Sequence, residues 1–350
     1  EEEPNVVRPK KGDGRLGVGS PIYLLDAGEK RPFHDGAGLC SPGRWPPKQR
    51  VEDPISKMLF GELMGLLWKK GDPMHLACKL AHGGLSESPF TDEDLEKARD
   101  TIRGILKLTD ESGCYQPEDG QPFYLELAAN LARVMGDPDW RVLVAGPNNY
   151  REGVSVGFQE RLPRAPAVFE RKRRWRKYDP EDYALELKGN YKSADEATAS
   201  LKTQFEEEIR EGRMLKMPLT VAKRRYGSRL RIAPLGAIEK GDASYRPLHD
   251  GTHGAGVNPN LRIRDQLRYP RGAELKHVLT VLQSAPGPSL GLVADVSKAH
   301  RRYKHRPRDW GLMACRLDDP LTVYVNTVGT FGLGCASYWW GRLFAILARC

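Results

Sequence analysis

The sequence predicts an α+β protein in which a mostly helical N-terminal region precedes a part built on short strands and tight turns. Three observations carry this. From residue 53 onward apolar residues recur at helical spacing, with a Thr91-Asp92-Glu93-Asp94 start signal ahead of one such run. Residues 236–250 alternate as a strand, a turn and a second strand. Gly291-Leu292-Val293-Ala294-Asp295 is a short apolar run ending on a carboxylate, which reads as a buried strand delivering one acid to its exposed tip.

The chain has 350 residues, 39% of them apolar, enough for two domains with a packed core. Its net charge of +9 favours a polyanionic partner, nucleic acid first among them. The six cysteines are scattered without a C-x-x-C pair, so they read as free thiols in a reducing compartment. No apolar stretch reaches the roughly 20 residues that span a bilayer, and Glu1-Glu2-Glu3 is opposite in charge to a signal peptide. These features predict a soluble intracellular protein, cytoplasmic or nuclear, with no membrane partner. Beginning on Glu and stopping at Cys350 inside an apolar helical run, the chain reads as a piece of a longer reading frame.

Residues 1–52 are rich in Gly, Pro and Lys/Arg and read as loop or disordered. Gly12-Asp13-Gly14-Arg15-Leu16-Gly17 satisfies G-x-G-x-x-G but follows Arg-Pro-Lys-Lys rather than an apolar strand, so no dinucleotide site is expected. Residues 53–165 read as a helical accessory region and linker. Ile55, Met58, Leu59, Leu63 and Leu66 share one helix face, and Leu95, Ala98, Ile102 and Leu106 another. A further helix over 125–135 stops at Gly136-Asp137-Pro138, and the Gly/Pro-broken stretch 150–166 reads as the linker.

Residues 166–350 form the second predicted domain. It opens on a strip, 169–178, in which Arg173, Arg174 and Arg176 flank Trp175, the composition of a surface that tracks phosphates and stacks bases. A helix over 193–211 carries Ala197, Leu201, Phe205 and Ile209 on one face and stops at Gly212. Beyond the 236–250 hairpin, which holds Lys240 and Arg246, His249 and His253 are spaced H-x-x-x-H. They lie in a Gly-rich loop rather than on a helix, so zinc is not expected. Asp295 is the candidate metal ligand, and 329–337 is a Gly-rich turn feeding the apolar helical segment 338–347.

In order and spacing these blocks resemble the reverse transcriptases of retroelements, of the long-terminal-repeat and tyrosine-recombinase retrotransposon types, over 205–350. Lys240-Gly241 with Arg246 and Asp250 is similar to the family's fingers hairpin. Asp295-Val296-Ser297-Lys298-Ala299-His300, with Arg306-Pro307-Arg308-Asp309-Trp310 behind it, is similar to palm motif A, and Phe331-Gly332-Leu333 with Ala336 to motif B. The resemblance implies the fingers and an incomplete palm of a right-hand polymerase, with RNA template, DNA primer or RNA–DNA duplex, and dNTP as partners. It implies catalysis through Asp295 as a ligand of two Mg²⁺ ions, phosphate clamping by Lys240 and Arg246, and Phe331 with Gly332 against the nascent pair. Arg301 and Arg302 would serve the nucleic acid.

The sequence departs from the family in three places. His300 stands where a Tyr or Phe usually gates the sugar, Thr330 where Pro is frequent, and the Tyr-x-Asp-Asp motif is missing. Asp318-Asp319 lies between the motif A and motif B blocks and ends in Pro320, as a turn between strands would. A nucleotidyltransferase truncated before its second acid cluster is expected to be inactive as given. Two alternatives stand beside it: an RNA-directed RNA polymerase, and a non-catalytic nucleic-acid-binding protein with a degenerate palm.

Overall fold

The computed structural model describes residues 54–350 apart from 86, 110–112, 167–168, 173–174, 242–243, 268–271 and 284–294. The basic segment 1–52, Arg173, Arg174 and the expected strand at 291–294 therefore lie outside the described residues. Helices α1 (Pro54–Trp68), α2 (Pro73–Ala81), α3 (Asp92–Leu106), α4 (Leu125–Val134) and α5 (Arg141–Val144) come first. Then follow β1 (Phe169–Arg171), α6 (Lys192–Glu196), α7 (Thr198–Arg210), β2 (Met214–Pro218), α8 (Leu219–Tyr226), β3 (Ile232–Ala233), β4 (Leu235–Glu239) and β5 (Tyr245–His249). The order closes with β6 (Asp265–Leu267), α9 (Gly272–Gln283), β7 (Ala314–Cys315), β8 (Thr322–Asn326) and α10 (Ala336–Arg349). The fold class is α+β, as expected.

The α3 start signal acts as written. Thr91 Oγ1 accepts from Asp94 N at 3.3 Å while Asp94 Oδ2 accepts from Thr91 N at 2.8 Å. The expected apolar stripe is shallower, with Leu95 41% exposed, and the buried side chain of the helix is Arg103. Its guanidinium is neutralised by Glu96 at 2.6 Å and Asp100 at 2.7 Å and lies over the Tyr115 ring. A cation at a stripe position can be buried when carboxylates one and two turns earlier on its own helix pair with it.

Residues 150–166, expected as a linker, are core. Tyr150, Val154, Val156, Phe158 and Leu162 are all buried. Bridges tie Val154 to His305 and Phe158 to Leu261, and the run from Gly153 to Phe158 is buried throughout. Gly153 allows the approach: at φ +101 a Cβ would stand 2.6 Å from the His305 carbonyl carbon. Tyr150 donates its hydroxyl to Trp339 O at 2.5 Å, and Trp339 returns its indole N–H to Ser155 O at 2.7 Å.

The expected helix over 193–211 is two helices, α6 and α7, parted at Ala197. It ends at Gly212 as anticipated, and Leu201 and Phe205 are buried. Four strands form a sheet in the order β2-β8-β7-β3, antiparallel except for the β3–β7 pair. β4 and β5 make a separate antiparallel hairpin in register from Leu235↔His249 to Glu239↔Tyr245. Asp318 and Asp319 occupy the turn between β7 and β8, where Asp319 accepts from Leu321 N at 2.9 Å and Lys202 reaches Asp318 at 2.7 Å. Among the described residues no helix is long and apolar enough to cross a membrane.

Candidate functional site

The β4–β5 hairpin is fixed at its base and open at its tip. At the base Tyr191 N donates to Leu235 O at 2.9 Å, and the Tyr191 hydroxyl donates to Asp250 Oδ2 at 2.6 Å. Burial would raise the Asp250 carboxyl, but the Tyr191 and His253 hydrogen bonds outweigh it and hold it below its ordinary range. That carboxylate of the hairpin motif is thus spent on anchoring. Ile238, Glu239 and Lys240 are exposed at the tip.

The Gly-rich turn docks on this base. His249 N donates to Phe331 O at 3.0 Å, and Asn258 clamps the turn by giving its amide to Gly332 O and accepting from Gly334 N, both at 2.8 Å. Gly332 has φ +92, and a Cβ there would come within 2.0 Å of the His249 carbonyl oxygen. The register sets Phe331 against Arg246, whose guanidinium lies 5.0 Å from the ring centre. His300 also packs near this ring, 4.9 Å from the Phe331 centroid at an angle of 49°.

His300 is carried by a 3₁₀ turn, Ala299–Arg302, entered through Lys298 in the left-handed region at φ 52. Glu208 of α7 holds this turn from below. It accepts from Arg301 Nη2 at 2.7 Å and Arg213 Nε at 2.7 Å, and pairs with Lys298 at 3.3 Å. Burial would raise the Glu208 carboxyl, but Arg301 and Arg213 overcome it and hold it at about 2.

A cavity of about 550 Å³ results, lined by Lys240, Arg246, Asp295, His300 and Phe331. Five side chains from three separated sequence blocks thus meet at one opening, and its size falls within the roughly 300–1,000 Å³ of small-molecule pockets. Gly332 supports the wall from behind. Glu208, His249, Lys298 and Arg301 also line the cavity and were not expected there. Their signal in the sequence is weak, since Glu208 sits in an ordinary acidic run and Arg301 in a basic one.

Arg301 and Arg302, expected on a nucleic-acid surface, are both held by neighbouring groups of the fold. Arg301 is turned inward onto Glu208 and also donates to Asn326 Oδ1 at 2.5 Å, while Arg302 Nε is bound to Ser297 O at 3.0 Å. The same holds downstream, where Lys304 donates to Asp119 O at 2.8 Å and Arg306 and Arg308 pair with Glu160. Fully buried Asp309 draws Arg306 and Arg229 to itself at 3.1 and 2.5 Å. Carboxylates distant in sequence, invisible to local pattern, pair with Arg301, Arg306 and Arg308, while backbone carbonyls hold Arg302 and Lys304. In the strip at 169–178, Trp175 is 53% exposed with Lys172 Nζ 4.6 Å from its ring, and Arg176 lies over Tyr178. Neither Trp175 nor Arg176 lines the cavity.

For a metal ion the described residues do not fit. Among them no group of three or more His, Cys, Asp and Glu side chains is close enough to hold one. Asp295 is an exposed carboxylate at the cavity, whereas Glu208 is engaged by cations; magnesium takes several hard oxygen ligands. His253 pairs with Asp250 at 2.7 Å, and His249 is buried apart from it.

An α+β fold carrying a cationic, aromatic-walled cavity with one acidic side chain exposed on it is what the chain presents. No protein-family model matches the sequence, and no curated protein does. Among solved structures it is similar to a foamy viral protease-reverse transcriptase in complex with double-stranded DNA, at 15% identity and a TM-score of 0.32. The match covers 52% of this chain and 28% of that one, so this chain spans well under a third of the viral protein's length. A likeness of that score carries no weight for chemistry; the cavity's own residues do.

Proposed function

We propose that the cavity binds a nucleoside triphosphate and that this chain is the nucleotide-binding part of a retroelement-type RNA-directed DNA polymerase. The observation that supports it is the meeting of Lys240, Arg246, Asp295, His300 and Phe331 on one cavity. Lys240 and Arg246 neutralise the triphosphate, as cationic groups on a strand pair do wherever phosphoryl charge must be held. The Phe331 ring, braced by Arg246, offers a flat face to the base, and His300 meets the sugar. RNA template and DNA primer complete the reaction, in which the primer 3′-hydroxyl attacks the α-phosphorus and pyrophosphate leaves. Asp295 is the exposed acidic side chain that the cavity offers to that step.

That Asp295 is the one exposed carboxylate on the cavity among the described residues favours a second reading, a nucleotide- or nucleic-acid-binding protein without catalysis. Titration of a fluorescent dNTP tests the first step shared by both. Lys240→Ala and Arg246→Ala are each expected to weaken binding about tenfold, the worth of one charge-assisted hydrogen bond. Unchanged affinity in the double variant would overturn the reading. Primer extension on an RNA template then separates polymerase from binding protein, with Asp295→Ala abolishing synthesis only in the first case.

A further inference from the structure

Deep in the cavity wall His249 presents a puzzle that the phosphate contacts leave unanswered. The residue is 2% exposed, yet among the described residues neither Nδ1 nor Nε2 has a hydrogen-bond partner. Burying an imidazole with both nitrogens unmatched is unfavourable, and folded proteins hold few such groups without a functional reason or a partner from outside the chain. Its backbone is fully used, the N–H donating to Phe331 O and the carbonyl accepting from Gly251 N, both at 3.0 Å, so the ring is held in place rather than adrift. His300 on the same cavity has an unmatched Nδ1 as well.

Position along the hairpin says which part of a ligand His249 can reach. Lys240 stands at the open tip, whereas His249 closes the base of β5, three residues or roughly 10 Å beyond Arg246 along the strand. The groups lining this end besides His249 include uncharged Thr330, Phe331 and Cys315, and Arg301, whose charge is taken up by its ion pair with Glu208 at 2.7 Å. Phosphates belong with the cations at the tip; the base end suits a neutral, hydrogen-bonding moiety.

Resting on the nucleotide reading above, we infer that His249 hydrogen-bonds the nucleoside portion of the bound nucleotide and so determines specificity for nucleotide over bare polyphosphate. An imidazole reserved for a ligand lowers the stability of the empty protein and raises the affinity of the loaded one. Removing it has opposite effects on the two.

The test measures dATP and inorganic tripolyphosphate binding by calorimetry, and the thermal midpoint of the ligand-free chain, for the wild type, His249→Leu and His249→Asn. His249→Leu is expected to lose about tenfold in dATP affinity, to bind tripolyphosphate unchanged, and to melt a few degrees higher. His249→Asn, which keeps a donor and an acceptor, is expected to retain most of the dATP affinity. Equal dATP affinity in wild type and Leu variant, or equal losses for dATP and tripolyphosphate, would overturn the inference and leave the nucleotide reading standing. A lower midpoint in the Leu variant would show a structural imidazole and overturn it too. Failure of the wild type to bind dATP at all would remove the nucleotide reading and the inference together.

Discussion

At the scale of single residues, the cavity depends on a contact that a methyl group would destroy. Gly332 sits at φ +92 with its missing Cβ aimed at the His249 carbonyl oxygen, 2.0 Å away, and that oxygen belongs to backbone which cannot rotate aside. Gly332→Ala therefore meets conformational strain and a steric clash together, and is expected to cost about 3 kcal/mol or more, read as a lower urea midpoint at unchanged slope. A surface glycine such as Gly241, with nothing within 4 Å of its Cβ site, serves as control and is expected to change stability by under about 1 kcal/mol on conversion to Ala. Equal losses at both positions would show that Phe331 is not held by this packing. Gly332 was legible in the sequence as part of a Gly-rich turn; His249, the reason for it, was not, because a histidine in a loop carries no local sign of burial.

At the scale of elements, α7 and the turn bearing His300 are joined by one carboxylate. Glu208 has a usual value of 4.5 and is held at about 2 in the fold, where Arg301 and Arg213 outweigh its burial. Above pH 4.5 it is ionised in both states and the ion-pair contribution is fully present. As pH falls from about 4.5 towards 2 the unfolded chain takes up the proton first, so that contribution is lost across this window. A depression of this size corresponds to about 3 kcal/mol. Urea midpoints measured from pH 6 to pH 2 are expected to fall steeply in the wild type and more gently in Glu208→Gln, which starts lower because Arg301 is left buried beside a neutral group. Parallel curves would mean that Glu208 is not the group titrating. Nothing in the sequence ties Glu208 to Arg301, since a pairing across 93 residues leaves no periodic trace. The β4–β5 hairpin and the capping box of α3 were legible because alternation, turn residues and caps are local properties.

At the scale of the whole described molecule, the helical segment ahead of residue 166 and the strand-rich part behind it share a core. Tyr150, Trp339 and Tyr303 pack edge to face, with ring centres 5.7 and 6.0 Å from Tyr150. The extended stretch 150–166 supplies apolar residues to this core rather than connecting two bodies, which its Gly/Pro content concealed. Two ion pairs fasten α10 to the loop after α4: Arg342 binds Asp139 through two bonds of 2.6 Å, and Arg349 binds Asp137 at 2.5 Å. Both partners of the first pair are about 5% exposed, so removing one strands the other in a low-dielectric interior. Asp139→Ala is expected to cost about 3–5 kcal/mol, while Asp139→Leu combined with Arg342→Met, which removes both charges and keeps volume, is expected to recover most of that loss. Denaturation of the two variants and each single change gives the coupling directly. A double variant no more stable than Asp139→Ala would mean that the pair acts through its hydrogen-bond geometry, including the Arg342 bond to Tyr338, rather than through charge alone. Because α10 continues from the turn that places Phe331 and Gly332, weakening this pair is also expected to lower nucleotide affinity without any change to a cavity residue. That loss should track the unfolding free energy across the four proteins, whereas a cavity held only by its own hairpin would bind equally in all of them.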